Sequence, residues 1–148
     1  MRQEQRNMNT ITYRKCFEIC DEVRKKHIGK KIDVHDYPAS VVSCADCWAN
    51  HVTAITNTSG KVNQTSYQKT PELEKALTEK LGRIGSKRNE CHNYIGACAE
   101  PHAAREVMLQ NTASIVDTLV FSYAYRPRTK MVMRYCKNCT EVFNIKNP

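Results

Sequence analysis

The sequence predicts an α/β domain on three observations. Segments with helical periodicity alternate with short runs of β-forming residues, which is typical of sheets covered by helices. The 148 residues suit one domain with one core, which we assign to residues 1–148. No apolar run is long enough to span a bilayer, so a membrane-spanning protein is excluded.

The first part of the chain is expected to hold a helix and then a β-hairpin. Residues 10–27 carry apolar side chains at helical spacing, among them Cys16 and Cys20, which we interpret as core residues. Residues 39–45 are rich in valine and small residues, and residues 51–57 alternate in the manner of a strand. These two runs would form the arms of the hairpin.

A second helix is expected to begin at Pro71. Thr70 can cap it, Pro71 suits the first helical position, and acidic residues in the first turn favour the positive end of the helix dipole. Gly85 would end it. Its buried face would consist of Leu73, Leu77, Leu81 and Ile84.

Pro101 fixes the start of a third helix. Proline is tolerated only in the first turn, so this helix must begin at about residues 97–100 and run to about Gln110. Cys98 and Glu100 would then lie at the positive end of its dipole, where a thiolate is stabilised.

The last part of the chain is expected to contain one strand and one helix. Residues 119–125 form a β-rich run that Arg126-Pro127-Arg128 breaks. Residues 131–133 lead into the pair Cys136-Lys137-Asn138-Cys139, which can open a helix, and residues 140–145 are predicted to be helical.

Three thiols and one carboxylate make a candidate metal centre. Zinc held by three protein ligands keeps its fourth position for water, and a neighbouring carboxylate can carry protons. Because two helix N-termini on either side of a strand can converge on one cation, we expect Cys98, Cys136 and Cys139 to bind Zn²⁺. Glu100 would be the catalytic proton carrier.

These motifs resemble those of the cytidine deaminase-like superfamily. Gly96-Ala97-Cys98-Ala99-Glu100-Pro101-His102-Ala103 and Cys136-Lys137-Asn138-Cys139 are most similar to bacterial toxin deaminases of the YwqJ type. Pro38-Ala39-Ser40-Val41-Val42 also resembles the start of the first hairpin of such toxins. The resemblance covers about residues 38–145.

The resemblance implies a three-layer α/β domain in which a mixed β-sheet is flanked by helices. It implies a hydrolase that acts on C–N bonds of cyclic amidines, with Cys98, Cys136 and Cys139 as zinc ligands and Glu100 as proton shuttle. Two features depart from the family. Tyr135 replaces the usual proline before the cysteine pair, and nine residues follow Cys139, so a minimal sheet and a more open pocket are expected.

Three residues are candidate substrate contacts. In the superfamily an asparagine at the end of the second strand often contacts the sugar, and Asn57 occupies a comparable place, although it also suits a turn. Ala99 and Tyr135, next to proposed zinc ligands, are the other two.

The formal net charge of +8 and a basic, tyrosine-rich segment favour cytosine in nucleic acid as the substrate. Single-stranded DNA is expected ahead of RNA, because an unpaired base needs no unstacking from a duplex. A solvated loop beside a core-facing strand is the alternative interpretation. The segment contains Arg126, Arg128, Lys130, Arg134 and Lys137, interleaved with Tyr123, Tyr125 and Tyr135.

The N-terminus lacks the apolar stretch of a signal peptide, which predicts a cytoplasmic protein. The toxin resemblance adds delivery into the cytoplasm of a target cell and an immunity protein as partner. Without an export signal, the eight cysteines are expected to be free thiols or metal ligands rather than disulfides.

Other interpretations remain open at this stage. Cys44 and Cys47 with His51 could form a second zinc site, or with Cys136 and Cys139 a structural four-thiolate site in which Cys98 and Glu100 have no role. A deaminase of free nucleosides or nucleotides and a catalytically inactive binder of the same fold are further alternatives.

Overall fold

The computed structural model has the α/β composition that the sequence predicts. For residues 52–57 it describes the backbone only. The described residues are 14, 16–22, 24–25, 40–46, 52–57, 62–111, 114–127 and 129–147.

Four helical segments and five strands are present in this part of the chain. The helices are α1 (helical at residues 14, 16–22 and 24–25), α2 (Pro71–Lys80), α3 (Ala99–Gln110) and α4 (Lys137–Val142), with a short 3₁₀ turn at Val116–Thr118. The strands are β1 (Ser40–Asp46), β2 (Val52–Asn57), β3 (Leu119–Phe121), β4 (Ala124–Tyr125) and β5 (Val132–Met133).

Strand β1 is the centre of the sheet. It pairs with β2 on one side, from Ser40 opposite Asn57 to Ala45 opposite Val52, which confirms the predicted hairpin. On its other side it pairs with β3 and β4, and β5 pairs with β4. Every described pair is antiparallel, so the mixed sheet expected from the resemblance is not seen among these strands.

The predicted strand 119–125 is interrupted by a β-bulge. Phe121 lies opposite Cys44 and Tyr125 lies opposite Val41, so the outer strand holds one residue more than β1 between these pairs. Ser122 fills the gap, because its N–H donates to Ser43 O and its Oγ accepts from Ser43 N, both over 2.9 Å. The bulge turns the chain so that the next side chain, Tyr123, is 44% exposed.

Helix α2 differs from prediction at one end and α4 at both, since α4 ends at Val142 rather than at Ile145. α2 ends at Lys80 rather than near Gly85, because Gly82 adopts a positive φ of 125° directly after the last turn. The Thr70 hydroxyl does not cap the helix; it donates back to Tyr67 O over 3.3 Å. α4 begins three residues before the predicted Thr140, directly after Cys136.

The core lies on both faces of β1. Val42 and Cys44 belong to the main core together with side chains of α2 and α3. Val41 points the other way, as successive strand residues do, and joins a small cluster with Cys16 and Cys20 of α1. Both cysteines are fully buried, which confirms them as core residues. The remaining part of the predicted helix 10–27 lies outside the described residues.

No helix in the described parts of the chain combines the length and apolar character that crossing a membrane requires.

Candidate metal centre

Two helix starts carry the three cysteines, as the sequence predicts. Cys98 is the N-cap of α3 and Cys136 is the N-cap of α4. Cys139 follows in the first turn of α4, where a residue three positions on lies on the same helix face. Neither N-cap side chain bonds to its own helix end, so both sulfurs are available to one another.

The three sulfurs converge. All lie within 4.8 Å of one another, with 3.0 Å between Cys98 and Cys136 and 3.3 Å between Cys136 and Cys139. The three cysteines are free thiols. Cys98 and Cys139 are buried and Cys136 is partly exposed.

This set fits a metal ion. Sulfur ligands of tetrahedral zinc lie about 2.3 Å from the metal and therefore about 3.8 Å apart. The Cys98–Cys136 and Cys136–Cys139 pairs would each need to separate by less than about 1 Å to reach that spacing. Soft thiolates bind zinc, copper(I) and iron well, so the sulfurs alone do not identify the metal.

The pKa values of the three thiols are shifted in different directions. Hydrogen bonds with Cys139 and Cys98 hold the pKa of Cys136 well below its usual range. The pKa of Cys98 is raised, first by its hydrogen bond with Cys136, and burial raises that of Cys139.

Glu100 lies directly beside the sulfurs. It sits in the first turn of α3, is 4% exposed, and its Oε2 accepts a hydrogen bond from Cys139 Sγ over 3.2 Å. Burial raises the pKa of this carboxyl to about 7. The predicted proton carrier and the predicted ligands are thus neighbours, although the two motifs are far apart in sequence.

Gly96 sets the direction in which the chain enters α3. Its φ is +86°, and a Cβ there would lie 2.9 Å from Cε2 of Tyr67 and 3.3 Å from Cγ2 of Ile84. The Tyr67 hydroxyl also donates to Gly96 O over 2.5 Å. Only glycine fits this close approach, which fixes the backbone two residues before Cys98.

A group of polar side chains that the sequence interpretation did not single out surrounds the cysteine pair. Asn138, between the two cysteines, is 3% exposed; its Nδ2 donates to Asn93 O over 3.2 Å. Its Oδ1 accepts from Arg88 Nη1 over 3.1 Å. No local sequence signal pairs residues 86–93 with α4, so sequence reasoning could not find these contacts.

The three candidate substrate contacts occupy different surroundings. Ala99 is fully buried at the first position of α3. Tyr135 is 6% exposed, and its hydroxyl donates to Ser122 O over 2.6 Å. The backbone of Asn57 lies at the end of β2, opposite Ser40, and its side chain lies outside the description. Their role in substrate binding stays a prediction.

The side chains of the basic, tyrosine-rich segment differ in their surroundings: some are buried, one lysine is ion-paired and others are exposed. Lys130 forms an ion pair with Asp21 over 2.6 Å and lies over the ring of Phe17, so it holds the β4–β5 turn to α1. Tyr125 is buried, whereas Tyr123 is exposed, with its ring centre 6.5 Å from that of Tyr135. Arg126, Arg134 and Lys137 are exposed, and Arg128 lies outside the described residues.

The alternative metal sites receive no support from the described residues. Cys44 is fully buried in β1 and is not among the three sulfurs that converge. Cys47 and His51 lie outside the described residues, so a second site that includes them stays a prediction. His102 stacks on Tyr67, with ring centres 5.8 Å apart, and burial lowers its pKa.

No protein-family model, curated protein or solved structure matches this chain.

Proposed function

We propose that this chain is a zinc-dependent hydrolytic deaminase of cytosine in nucleic acid, with single-stranded DNA favoured over RNA. The observation that carries the proposal is the buried Glu100 carboxylate, 3.2 Å from one of three convergent cysteine sulfurs. A purely structural thiolate site needs no such carboxylate, whereas hydrolysis at a metal centre needs a proton carrier at that position.

Zinc is the metal that we assign to the sulfur cluster. Cys98, Cys136 and Cys139 would supply three thiolates and leave the fourth tetrahedral position open. When bound there, zinc supplies a water molecule whose pKa is lowered towards neutrality.

Glu100 would then perform the proton transfers. Its carboxylate takes one proton from the attacking water and delivers it to N3 of the cytosine ring as the new C4–O bond forms. It next carries the second proton to the amino group, the C4–N bond breaks, and ammonia leaves. Cytosine and water thus give uracil and ammonia, and Glu100 returns to its starting state.

The surface beside the cluster supports a nucleic-acid substrate. Tyr123, in the bulge between β3 and β4, presents an exposed ring next to Tyr135, the residue directly before the cysteine pair. Arg134 precedes that pair, Lys137 lies between its two cysteines, and both are exposed. Rings that stack on bases and cations that face phosphates are the usual elements of a single-strand binding surface.

The finer fold assignment and the biological setting also belong to the proposal. The packing of Val41 towards α1 and of Val42 towards α2 and α3 supports the three-layer arrangement of the deaminase superfamily. The role of a toxin domain delivered into a target cell's cytoplasm, with an immunity protein as partner, rests on the sequence resemblance alone.

The burial of the cluster favours one competing function, a structural metal centre in which Glu100 is the fourth ligand. Cys98, Cys139 and Glu100 are each less than a tenth exposed. The two functions differ in the fate of the metal when Glu100 is replaced. A proton carrier can be removed without metal loss, whereas removal of a ligand weakens binding.

The experiment that tests the proposal is sequencing of DNA and RNA from cells that express the wild-type chain or Glu100→Gln. Cells that lack uracil repair retain the product in DNA. We expect cytosine-to-thymine changes in DNA, fewer changes in RNA, and neither with the variant. A folded, zinc-loaded wild-type protein that leaves both nucleic acids unchanged would contradict the proposal; efficient turnover of free cytidine alone would support the nucleoside alternative.

A further inference from the structure

We infer that Arg88 and Asn138 are positioning residues of the metal centre, which lock the loop before Cys98 to the helix that carries Cys136 and Cys139. The inference rests on the proposed metal binding by these three cysteines and does not depend on deamination.

The loop that contains Arg88 is closed at its base. Gly85 N donates to Ile95 O over 2.9 Å, and Ile95 N donates to Ser86 O over 2.8 Å. Ile95 is 1% exposed in the main core, directly before Gly96. The position of Arg88 is therefore tied to the backbone that leads into Cys98.

Arg88 spans from this loop to α4. Its Nη1 contacts Asn138 Oδ1 over 3.1 Å and Glu141 Oε2 over 2.6 Å, and its Nε contacts Glu90 Oε2 over 3.3 Å. The Arg88 side chain is 16% exposed, against 34% for Glu141 and 52% for Glu90. A planar guanidinium can serve several acceptors in fixed directions, which an ammonium group on a flexible stem cannot.

Asn138, on α4, forms hydrogen bonds with the loop that contains Arg88. It uses its amide N–H on Asn93 O and its amide oxygen on Arg88, so both ends of a buried amide are satisfied by the same loop. The location of Asn138 between the two cysteines makes the contact relevant to the metal. Its two hydrogen bonds therefore tie the turn that presents Cys136 and Cys139 to the loop.

Helix α4 needs such a connection. It has six residues, which is far too short for a helix that is stable without tertiary contacts. Its apolar packing comes from Cys139 and Val142, which join the main core together with the adjacent Phe143. The contact between Arg88 and Asn138 adds a directional constraint at the opposite end, where the proposed ligands are, and the Arg88–Glu141 ion pair adds a second one near the C-terminal end of α4.

The test uses cobalt(II) as a spectroscopic probe, because its thiolate charge-transfer absorption reports ligand number and geometry. Arg88→Met removes the donors and keeps the apolar stem. We expect cobalt to be released to a chelator at least about tenfold faster than from wild type, within the range typical of residues that orient metal ligands. The charge-transfer spectrum of the loaded variant should also change.

Matched variants separate positioning from general stability. Arg83→Met removes an exposed arginine that also lies between α2 and α3. This variant should match wild type in the rate of cobalt release and in the spectrum. Arg88→Lys should not restore the wild-type release rate, because lysine keeps the charge but loses the planar fork. Asn138→Asp keeps the acceptor for Arg88 but replaces the amide donor to Asn93 O with an oxygen, which cannot donate. It tests the contact with Asn93 even if Arg88→Met does not fold.

An unchanged release rate and spectrum in both Arg88→Met and Asn138→Asp, with only a lower melting temperature, would overturn the inference and leave a structural role. If wild type binds no cobalt through the thiols, the inference and the proposed function both fail. A wild type that binds cobalt but deaminates nothing would contradict only the proposed function.

Discussion

The Oε2 atom of Glu100 accepts a hydrogen bond from Sγ of Cys139 over 3.2 Å, across 39 positions of the chain. This contact joins the first turns of α3 and α4, which carry the remaining two sulfurs of the cluster. A carboxylate that contacts a proposed ligand sulfur is close enough to serve a water molecule on a metal ion bound at that sulfur. The contact therefore links the metal site to the proposed reaction.

The first prediction concerns metal content. Purified protein should contain one zinc ion per chain, and Cys98→Ser, Cys136→Ser and Cys139→Ser should each lose it, because three thiolates form the site. Cys91→Ser is the matched control, since Cys91 is also buried but is not part of the cluster. Elemental analysis decides the matter; zinc that survives loss of Cys98 would rule out the site.

Gly96→Ala should destabilise the protein more than Gly82→Ala. Both glycines have a positive φ, so alanine costs about 1–2 kcal/mol of unfolding free energy at either position. At Gly96 the added Cβ would also meet Tyr67 at 2.9 Å, whereas at Gly82 its nearest neighbour would be Cδ1 of Ile95 at 3.6 Å. Overpacking should add about 1–3 kcal/mol at Gly96.

Chemical denaturation of the two variants measures this difference directly. Gly96→Ala should in addition bind zinc more weakly, because the displaced backbone leads into Cys98. Equal stabilities of the two variants would mean that the Tyr67 ring moves aside. The close approach of this ring to the backbone at residue 96 would then not require glycine.

Tyr135→Phe tests whether the Tyr135 hydroxyl contacts substrate. Its hydroxyl already donates to Ser122 O over 2.6 Å inside the protein. We expect a loss of about 1 kcal/mol in unfolding free energy, an unchanged zinc content, and an unchanged KM for an oligonucleotide. A large increase in KM without loss of stability would instead mean that the hydroxyl turns towards the substrate during turnover.

Lys130→Asn separates structural from substrate-binding cations. Lys130 has a φ of 60°, which asparagine tolerates, and its charge is paired with Asp21. We expect a small loss of stability and unchanged salt dependence of turnover. Arg134→Asn, which neutralises an exposed cation beside the cluster, should raise the KM and flatten the salt dependence, since fewer counterions are released from phosphate.

Kinetics on a single-stranded oligonucleotide at several salt concentrations distinguish these two variants. If Lys130→Asn weakens binding as strongly as Arg134→Asn, the ion pair with Asp21 does not hold in solution and the whole basic segment contacts the nucleic acid.

The sequence predicts where the helix that carries Glu100 begins. Pro101 restricts the start of α3 to the residues around Cys98, and the structure has Cys98 as the N-cap. The hairpin of β1 and β2 is equally local, because it pairs two runs of β-forming residues that are close together in the sequence. These features depend on the backbone preferences of a few adjacent residues.

The features that sequence reasoning missed depend on distant partners. The bulge at Ser122 forms because its side chain bonds to Ser43 on another strand. Strand β5 exists through its pairing with β4, and Arg88 is directed by Asn138 and Glu141 of α4. No periodicity or spacing along the chain predicts such contacts, because their partners are brought together only by the fold.

The most direct test of the central proposal compares zinc-loaded wild type with Glu100→Gln on a cytosine-containing single strand in heavy-oxygen water. Mass spectrometry of the product should show uracil that carries one heavy oxygen for wild type. The variant should retain equal zinc and lose about a hundredfold or more in rate, because the proton carrier is gone. Equal rates for both proteins, or loss of zinc from the variant, would contradict the proposed role of Glu100 as a proton carrier that does not bind the metal.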